Sequence, residues 1–194
     1  MRCTNQVLLA MLVVAALDAG GAAQTRPSLP ESFTAYAVNM SAVGRVSPTP
    51  LDMTITAWTS LAEQERYLSI LRDKGGDALV EALRKGPSIG SIRTPASLAY
   101  DFRYAVQERT RDNLRRIFLV TDRPMDFVEL VDRPLSVQYP FAAIELLVDD
   151  SGRGKGSLWL AAKLTLLDNL LIVDNYTDRP VTLNDVHPRD ARVP

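Results

Sequence analysis

A serine between two glycines is the pattern in this chain that comes nearest to a catalytic motif. Residues 86–90 read Gly-Pro-Ser-Ile-Gly, and the single histidine, His187, lies far downstream. A nucleophilic serine of the G-x-S-x-G type needs a strand before it and a helix after it. Here a helical pattern ends at Gly86 and an extended segment follows. We therefore predict that Ser88 lies in a turn and is not a nucleophile.

Acidic side chains offer a second chemistry. Asp101, Glu129 and Glu145 lie in predicted strands. Two carboxyl groups that face each other about 5 to 9 Å apart can hydrolyse glycosides. Asp101 is followed two residues later by Arg103, which is typical of a solvated sheet face with ion pairs. A carboxylate-based hydrolase of the cell envelope is therefore an alternative function, and no catalytic residue is assigned.

The usual metal ligands are nearly missing, because the chain has one histidine and one cysteine, Cys3. This excludes the common ligand sets of zinc, copper, haem and iron–sulfur centres. Residues 149–156, Asp-Asp-Ser-Gly-Arg-Gly-Lys-Gly, combine acids with glycines. They lack the ligand spacing of an EF-hand, and a strand pattern follows them where a phosphate-binding loop needs a helix. We predict a hairpin loop there, and neither a metal nor a cofactor.

The triplet Asp-Arg-Pro occurs three times, at residues 122–124, 132–134 and 178–180. Each copy lies between apolar runs that look like strands. Proline fixes its own φ and holds the preceding residue extended, and aspartate readily bonds nearby backbone. We interpret the triplets as turns between strands. If residues 125–131 form one strand, the first two triplets lie at opposite ends of the sheet and share no ligand.

The elements that must position these residues are mostly strands. Residues 51–58 alternate strictly, with Leu51, Met53 and Ile55 on one face. In the strand before them, Tyr36, Val38 and Met40 share a face. The same alternation predicts that the aromatic residues at the following positions face inward: Tyr36, Tyr100, Phe102 and Tyr104.

One helical region interrupts the strands. Ser60 and Glu63 have the spacing of a capping box, Gly75-Gly76 breaks the helical pattern, and Gly86-Pro87 ends it. From Leu98 onward short connections join strand-like runs, which indicates antiparallel neighbours. We predict an α+β domain: an antiparallel sheet of about eight strands, curled into a half-barrel or a barrel, with an inserted helical hairpin.

The first 23 residues have the layout of a secretory signal peptide. One arginine precedes an apolar stretch too short to span a membrane, and small residues end at Ala23. We expect cleavage after Ala23, a flexible leader at 24–32, one domain at 33–187 and a polar tail at 188–194. The cleaved chain would lack cysteine. Because arginine greatly outnumbers lysine and no disulfide framework is present, we predict a bacterial protein, periplasmic or extracellular.

The net charge of −1 and the absence of a basic cluster argue against nucleic acid as a partner. No second apolar stretch is long enough for a transmembrane anchor after signal cleavage.

The segments 89–105, 115–127 and 139–156, together with the helical region before them, resemble a group of uncharacterised exported bacterial proteins. The resemblance covers Leu51 to His187. It implies export and a bacterial source, and it implies no activity, cofactor or site residue.

The apolar face of the later strands suggests a binding function. It includes Tyr100, Phe102, Leu158, Leu160, Leu164 and Leu166. Two short helices cover only a few strands, so the remainder must close on itself, meet a partner or hold an apolar ligand. We predict a non-enzymatic binding or scaffold domain with an apolar ligand, a protein partner or self-association.

Overall fold

The computed structural model describes residues 7–9, 28–38, 48–95, 98–125, 139–167, 170–176 and 179–189. Glu129, Met40, the second Asp-Arg-Pro triplet, residues 190–194 and all but residues 7–9 of the predicted signal peptide lie outside the described residues. One helical element, α1, spans Leu61–Lys85. The strands run as follows: β1 Val7–Leu9, β2 Glu31–Val38, β3 Thr49–Ile55, β4 Gly90–Arg93, β5 Tyr100–Arg109, β6 Arg115–Thr121, β7 Phe141–Val148, β8 Gly154–Leu167, β9 Leu170–Asn175 and β10 Val181–Pro188.

Eight of these strands close into an antiparallel barrel. Their order is β8-β10-β2-β3-β4-β5-β6-β7, and β7 pairs again with β8. The remaining two strands lie outside the barrel: β9 pairs with the last six residues of β8, and β1 pairs with β9. The predicted α+β class with a barrel and a helical insertion is confirmed. The sheet extends slightly past the predicted domain limits, because β2 begins at Glu31 and β10 ends at Pro188.

Side chains that point into the barrel form an inner core. The alternation predicted for β3 is confirmed, since Leu51, Met53 and Ile55 are completely buried there. The inward prediction for Tyr36 is wrong, because its side chain is 40% exposed. Strand β2 instead turns Phe33, Ala35 and Ala37 inward. Other members of the inner core are Ile92, Phe102, Ile117, Leu119, Ile144, Leu146, Leu158 and Leu183.

A second cluster, the outer core, lies between the barrel wall and α1. Residues of β5 and β8 belong to this outer core because a register shift in each strand turns later side chains outward. In β5, Phe102 points into the barrel whereas Tyr104 points out of it, because an irregularity lies between them. In β8, Leu158 and Leu160 point inward and Leu164 points outward. An extra residue reverses the facing of everything after it, so the predicted single apolar face is divided between two cores.

The insertion α1 is a helical hairpin. The predicted capping box is present: Glu63 N donates to Ser60 Oγ, and Ser60 N donates to Glu63 Oε2. Gly75 has φ 80° and ψ −175°, which interrupts the helix at the predicted place. A straight helix would separate Tyr67 from Gly86 by roughly 28 Å at 1.5 Å per residue. Instead, a Cβ on Gly86 would lie 2.8 Å from the Tyr67 hydroxyl, so the two halves fold back on each other.

The first triplet lies in a connection, as predicted, because it follows the end of β6 at Thr121. Of the third triplet the structure describes Arg179 and Pro180, which precede β10 at Val181. After the first, Met125 is not in a strand; its side chain is buried in the inner core and its N–H bonds Leu160 O. The predicted hairpin loop between β7 and β8 is confirmed by the bond from Asp149 N to Arg153 O.

Candidate functional site

The structure keeps Ser88 and His187 in separate surroundings. Ser88 lies between the end of α1 and the start of β4, and its Oγ donates to Gly90 O at 3.1 Å. His187 lies in β10, with Nδ1 2.7 Å from Asp185 O. Two strands, β2 and β3, separate β10 from β4 in the barrel. The predicted order of a helix before Ser88 and an extended segment after it is confirmed, because α1 ends at Lys85 and β4 begins at Gly90.

The predicted acids do not form a pair. Glu145 lies opposite Phe118, and Phe118 lies opposite Val106. Asp101 is five residues from Val106 along β5, which puts Asp101 about 16 Å along and about 10 Å across the sheet from Glu145. Glu129 lies outside the described residues. Among the described acids named above, the separation is too large for glycoside hydrolysis.

Each of these two acids is bound by an arginine. Asp101 accepts from Arg103 Nη2 at 3.2 Å, and Glu145 Oε1 lies 3.1 Å from Arg116 Nε. Burial raises the pKa of the Glu145 carboxyl, and the charge of Arg116 opposes that change. Within the described ranges, no three histidine, cysteine, aspartate or glutamate residues are grouped so as to hold a metal.

The inside of the barrel is occupied by side chains. At the end where β2 starts, Arg115 donates to both carboxylate oxygens of Glu31, at 2.8 and 2.9 Å, and also to Gln107 Oε1. At the opposite end, the buried Met125 packs against the inner core. The candidate site therefore lies on the outer wall of the barrel, where the hairpin packs.

An apolar crevice separates the hairpin from the wall. Its volume is about 30 Å³. Three structural parts contribute to it: both halves of α1, the outer faces of β5 and β6, and the ribbon formed by β8 and β9. The lining residues are Tyr67, Leu68, Leu71, Leu79, Leu83, Tyr104, Phe118, Val120, Leu164 and Leu171.

Two tyrosines provide the only hydroxyl groups among the lining side chains. Tyr67 and Tyr104 meet edge to face, with ring centroids 6.2 Å apart. Burial raises the pKa of the Tyr104 hydroxyl, so this group stays neutral throughout the physiological range. No acidic or basic side chain lines the crevice, which suits it to an apolar ligand and gives it no carboxylate or histidine for hydrolysis.

The base of the hairpin is fastened to β5. Thr59 and Ala105 exchange two hydrogen bonds of 2.9 Å, and Arg103 Nη1 donates to the carbonyl of Gly86 at 3.0 Å. Arg103 is itself held by Asp101 and Asp122. At the tip, a Cβ on Gly76 would meet Phe141 at 3.9 Å. Both of these attachments to β5 lie at the base of the hairpin.

The sequence predicts the helical hairpin, but it does not show which strands the apolar face of the hairpin covers. The pairing of that face with Tyr104 and Leu164 depends on the two strand irregularities, for which the residue pattern carries no clear signal. No helix in the described part of the chain has both the length and the apolar character needed to cross a bilayer. No family model, curated protein or solved structure matches this chain.

Proposed function

We propose that this chain is an exported bacterial binding protein, without enzymatic activity, that holds an apolar ligand between the α1 hairpin and the barrel wall. The crevice lining carries the proposal, because every residue in it is aliphatic or aromatic. Ligand sites are concave and mainly apolar, and they often lie between packed structural units. Export is supported separately, by the signal-peptide layout of residues 1–23.

The resting crevice is small. Its volume of about 30 Å³ is enough for about two water molecules, whereas a cavity of about 150 Å³ binds benzene in an engineered protein. A ligand of that size requires the hairpin to move outward. The attachment of the hairpin at Thr59 and Gly86, together with the break at Gly75, favours movement of the tip over movement of the base.

The test is binding of dodecanoate and of a polarity-sensitive naphthalene dye to protein purified without detergent. Trp159 is buried in the outer core, so its fluorescence reports on the site once the second tryptophan is changed by Trp58→Phe. Native mass spectrometry of the same sample detects any ligand that co-purifies. We expect saturable binding with a stoichiometry of one per chain.

Paired variants identify the site. Leu79→Phe adds about three carbons inside the crevice and should weaken dodecanoate binding by about tenfold or more. Leu71→Ala enlarges the crevice and should strengthen binding of the dye. The control Leu61→Phe makes the same leucine-to-phenylalanine substitution at a helix residue that is 76% exposed, and it should bind dodecanoate with unchanged affinity. Equal affinity in all four proteins, or no binding by the unmodified chain, would refute the crevice as a ligand site.

A further inference from the structure

The outer edge of β9 accepts a strand from the amino terminus of the chain. β1 pairs with it antiparallel, in the register Val7 to Val173, Leu8 to Ile172 and Leu9 to Leu171. The other edge of β9 pairs with β8, so β9 has an ordered position that does not depend on β1 alone.

β1 belongs to the segment that the predicted cleavage after Ala23 would remove. Residues along β9 direct their backbone N–H and C=O groups alternately toward β8 and toward β1, so removal of β1 leaves the outward-directed groups of this stretch without a neighbouring strand. An apolar edge strand with unpaired backbone groups is a ready template for pairing with another strand. The cleaved chain therefore carries an acceptor site that the precursor covers.

We propose that β9 of a second copy takes the place of β1, so that the cleaved protein forms a two-fold dimer centred on Ile172. Antiparallel pairing about that centre sets Leu171 opposite Val173 of the other copy. A symmetric dimer requires such a self-complementary surface. The proposal rests on the export and cleavage part of the proposed function and is independent of the ligand crevice.

The residue types of β9 suit this exchange. β1 supplies valine, leucine and leucine opposite residues 173, 172 and 171. A second β9 supplies leucine, isoleucine and valine at the same places. Branched apolar residues facing each other across strands stabilise such a pair, so the second copy reproduces the chemistry of the segment it replaces.

The dimer also continues a buried layer. Leu171 and Val173 belong to the outer core, together with Leu164 of β8. Their counterparts in the second copy would extend that apolar layer across the two-fold axis. A partner strand with charged residues at these positions would instead place charge beside Leu171 and Val173, which favours a second copy over a polar peptide.

The test uses the chain recovered after export, which lacks cysteine once Cys3 is removed with the signal. In Ile172→Cys, the two sulfurs face each other across the axis, because directly opposite residues have Cβ atoms about 4.5 to 5.5 Å apart. Oxidation, or a short bis-maleimide, should link most of the protein into dimers. Thr165→Cys is the matched control: Thr165 lies opposite Ile172 on β8, one strand further from the axis, and should stay unlinked.

Light scattering across a concentration series should give twice the chain mass for the unmodified cleaved protein and for Thr165→Lys. Ile172→Lys should give the mass of one chain, because two like charges would meet at the axis. The uncleaved chain, carrying Cys3→Ser with each cysteine variant, should remain monomeric and unlinked. A monomeric cleaved protein, or equal linking through residues 165 and 172, would overturn the proposal. An intact mass that still includes residues 1–23 would also overturn the dimer proposal, because β1 would not be removed. That result is independent of whether the crevice binds a ligand.

Discussion

Arg115 and Glu31 carry opposite charges inside the barrel, where an unpaired charge is strongly disfavoured. Arg115 is 6% exposed, and its two Nη atoms bond both oxygens of the Glu31 carboxylate. Arg115 lies two residues before Ile117 in β6, and Glu31 lies two residues before Phe33 in β2. Because alternate side chains of a strand share a face and Ile117 and Phe33 belong to the inner core, both charged side chains point inward. The residue pattern alone does not predict that these two charged side chains point inward, because charged residues are usually exposed.

We predict that Arg115→Ala lowers the free energy of unfolding by about 3 to 5 kcal/mol, since it leaves the Glu31 carboxylate buried without its partner. Arg84→Ala is the control, because Arg84 pairs with Glu81 on the exposed surface of α1 and such pairs contribute about 0 to 1 kcal/mol. Urea unfolding of both variants measures the difference. If both variants lose a similarly small free energy of unfolding, the inward ion pair does not contribute strongly to stability.

At the scale of elements, one glycine determines the shape of α1. Gly75 adopts φ 80° and ψ −175°, a conformation that is nearly restricted to glycine, whereas Gly76 is part of the helix. The reversal at Gly75 brings Tyr67 beside Gly86, so that both halves of the hairpin contribute to one crevice.

We predict that Gly75→Ala lowers the free energy of unfolding by about 1 to 3 kcal/mol, through backbone strain alone, since no atom lies within 4 Å of its added Cβ. Gly76→Ala should instead be neutral or raise it by up to about 1 kcal/mol, because the nearest atom to its Cβ is 3.9 Å away and alanine favours helix. Thermal and urea unfolding of the two neighbours provide the comparison. The opposite ranking would show that the break at Gly75 is not needed for the fold.

At the scale of the whole molecule, β8 links the barrel to the ribbon outside it. Its first part pairs with β7 and β10 and closes the barrel, and its last part pairs with β9. Gly154 permits close approach of β7, because a Cβ there would overlap the carbonyl of Leu147. The same strand therefore supplies residues to the inner core, the crevice and, through β9, the proposed dimer edge.

The proposed dimer depends on the predicted cleavage after Ala23, which is a change to the whole molecule. Expressed in a Gram-negative host, the chain should reach the periplasm or the medium with the intact mass of residues 24–194. Small residues at Gly21 and Ala23 fit a signal peptidase, so Ala23→Arg should prevent processing. Two results would count against the signal peptide: an exported protein that retains residues 1–23, or identical masses for the unmodified protein and Ala23→Arg.

Local rules were sufficient for much of this fold. Alternation in residues 51–55 predicts an inward strand face, the Ser60 and Glu63 spacing predicts a helix start, and Gly75 and Gly86 predict where the helices end. These features involve neighbours along the chain, whose spacing is visible in the sequence. Tertiary structure alone decided that Tyr36 faces outward, that Tyr104 leaves the face of Phe102, and that the hairpin lies over β5, β6 and β8. Register, strand irregularities and barrel closure depend on contacts between distant segments, so the crevice and the β9 edge exist only once those segments meet.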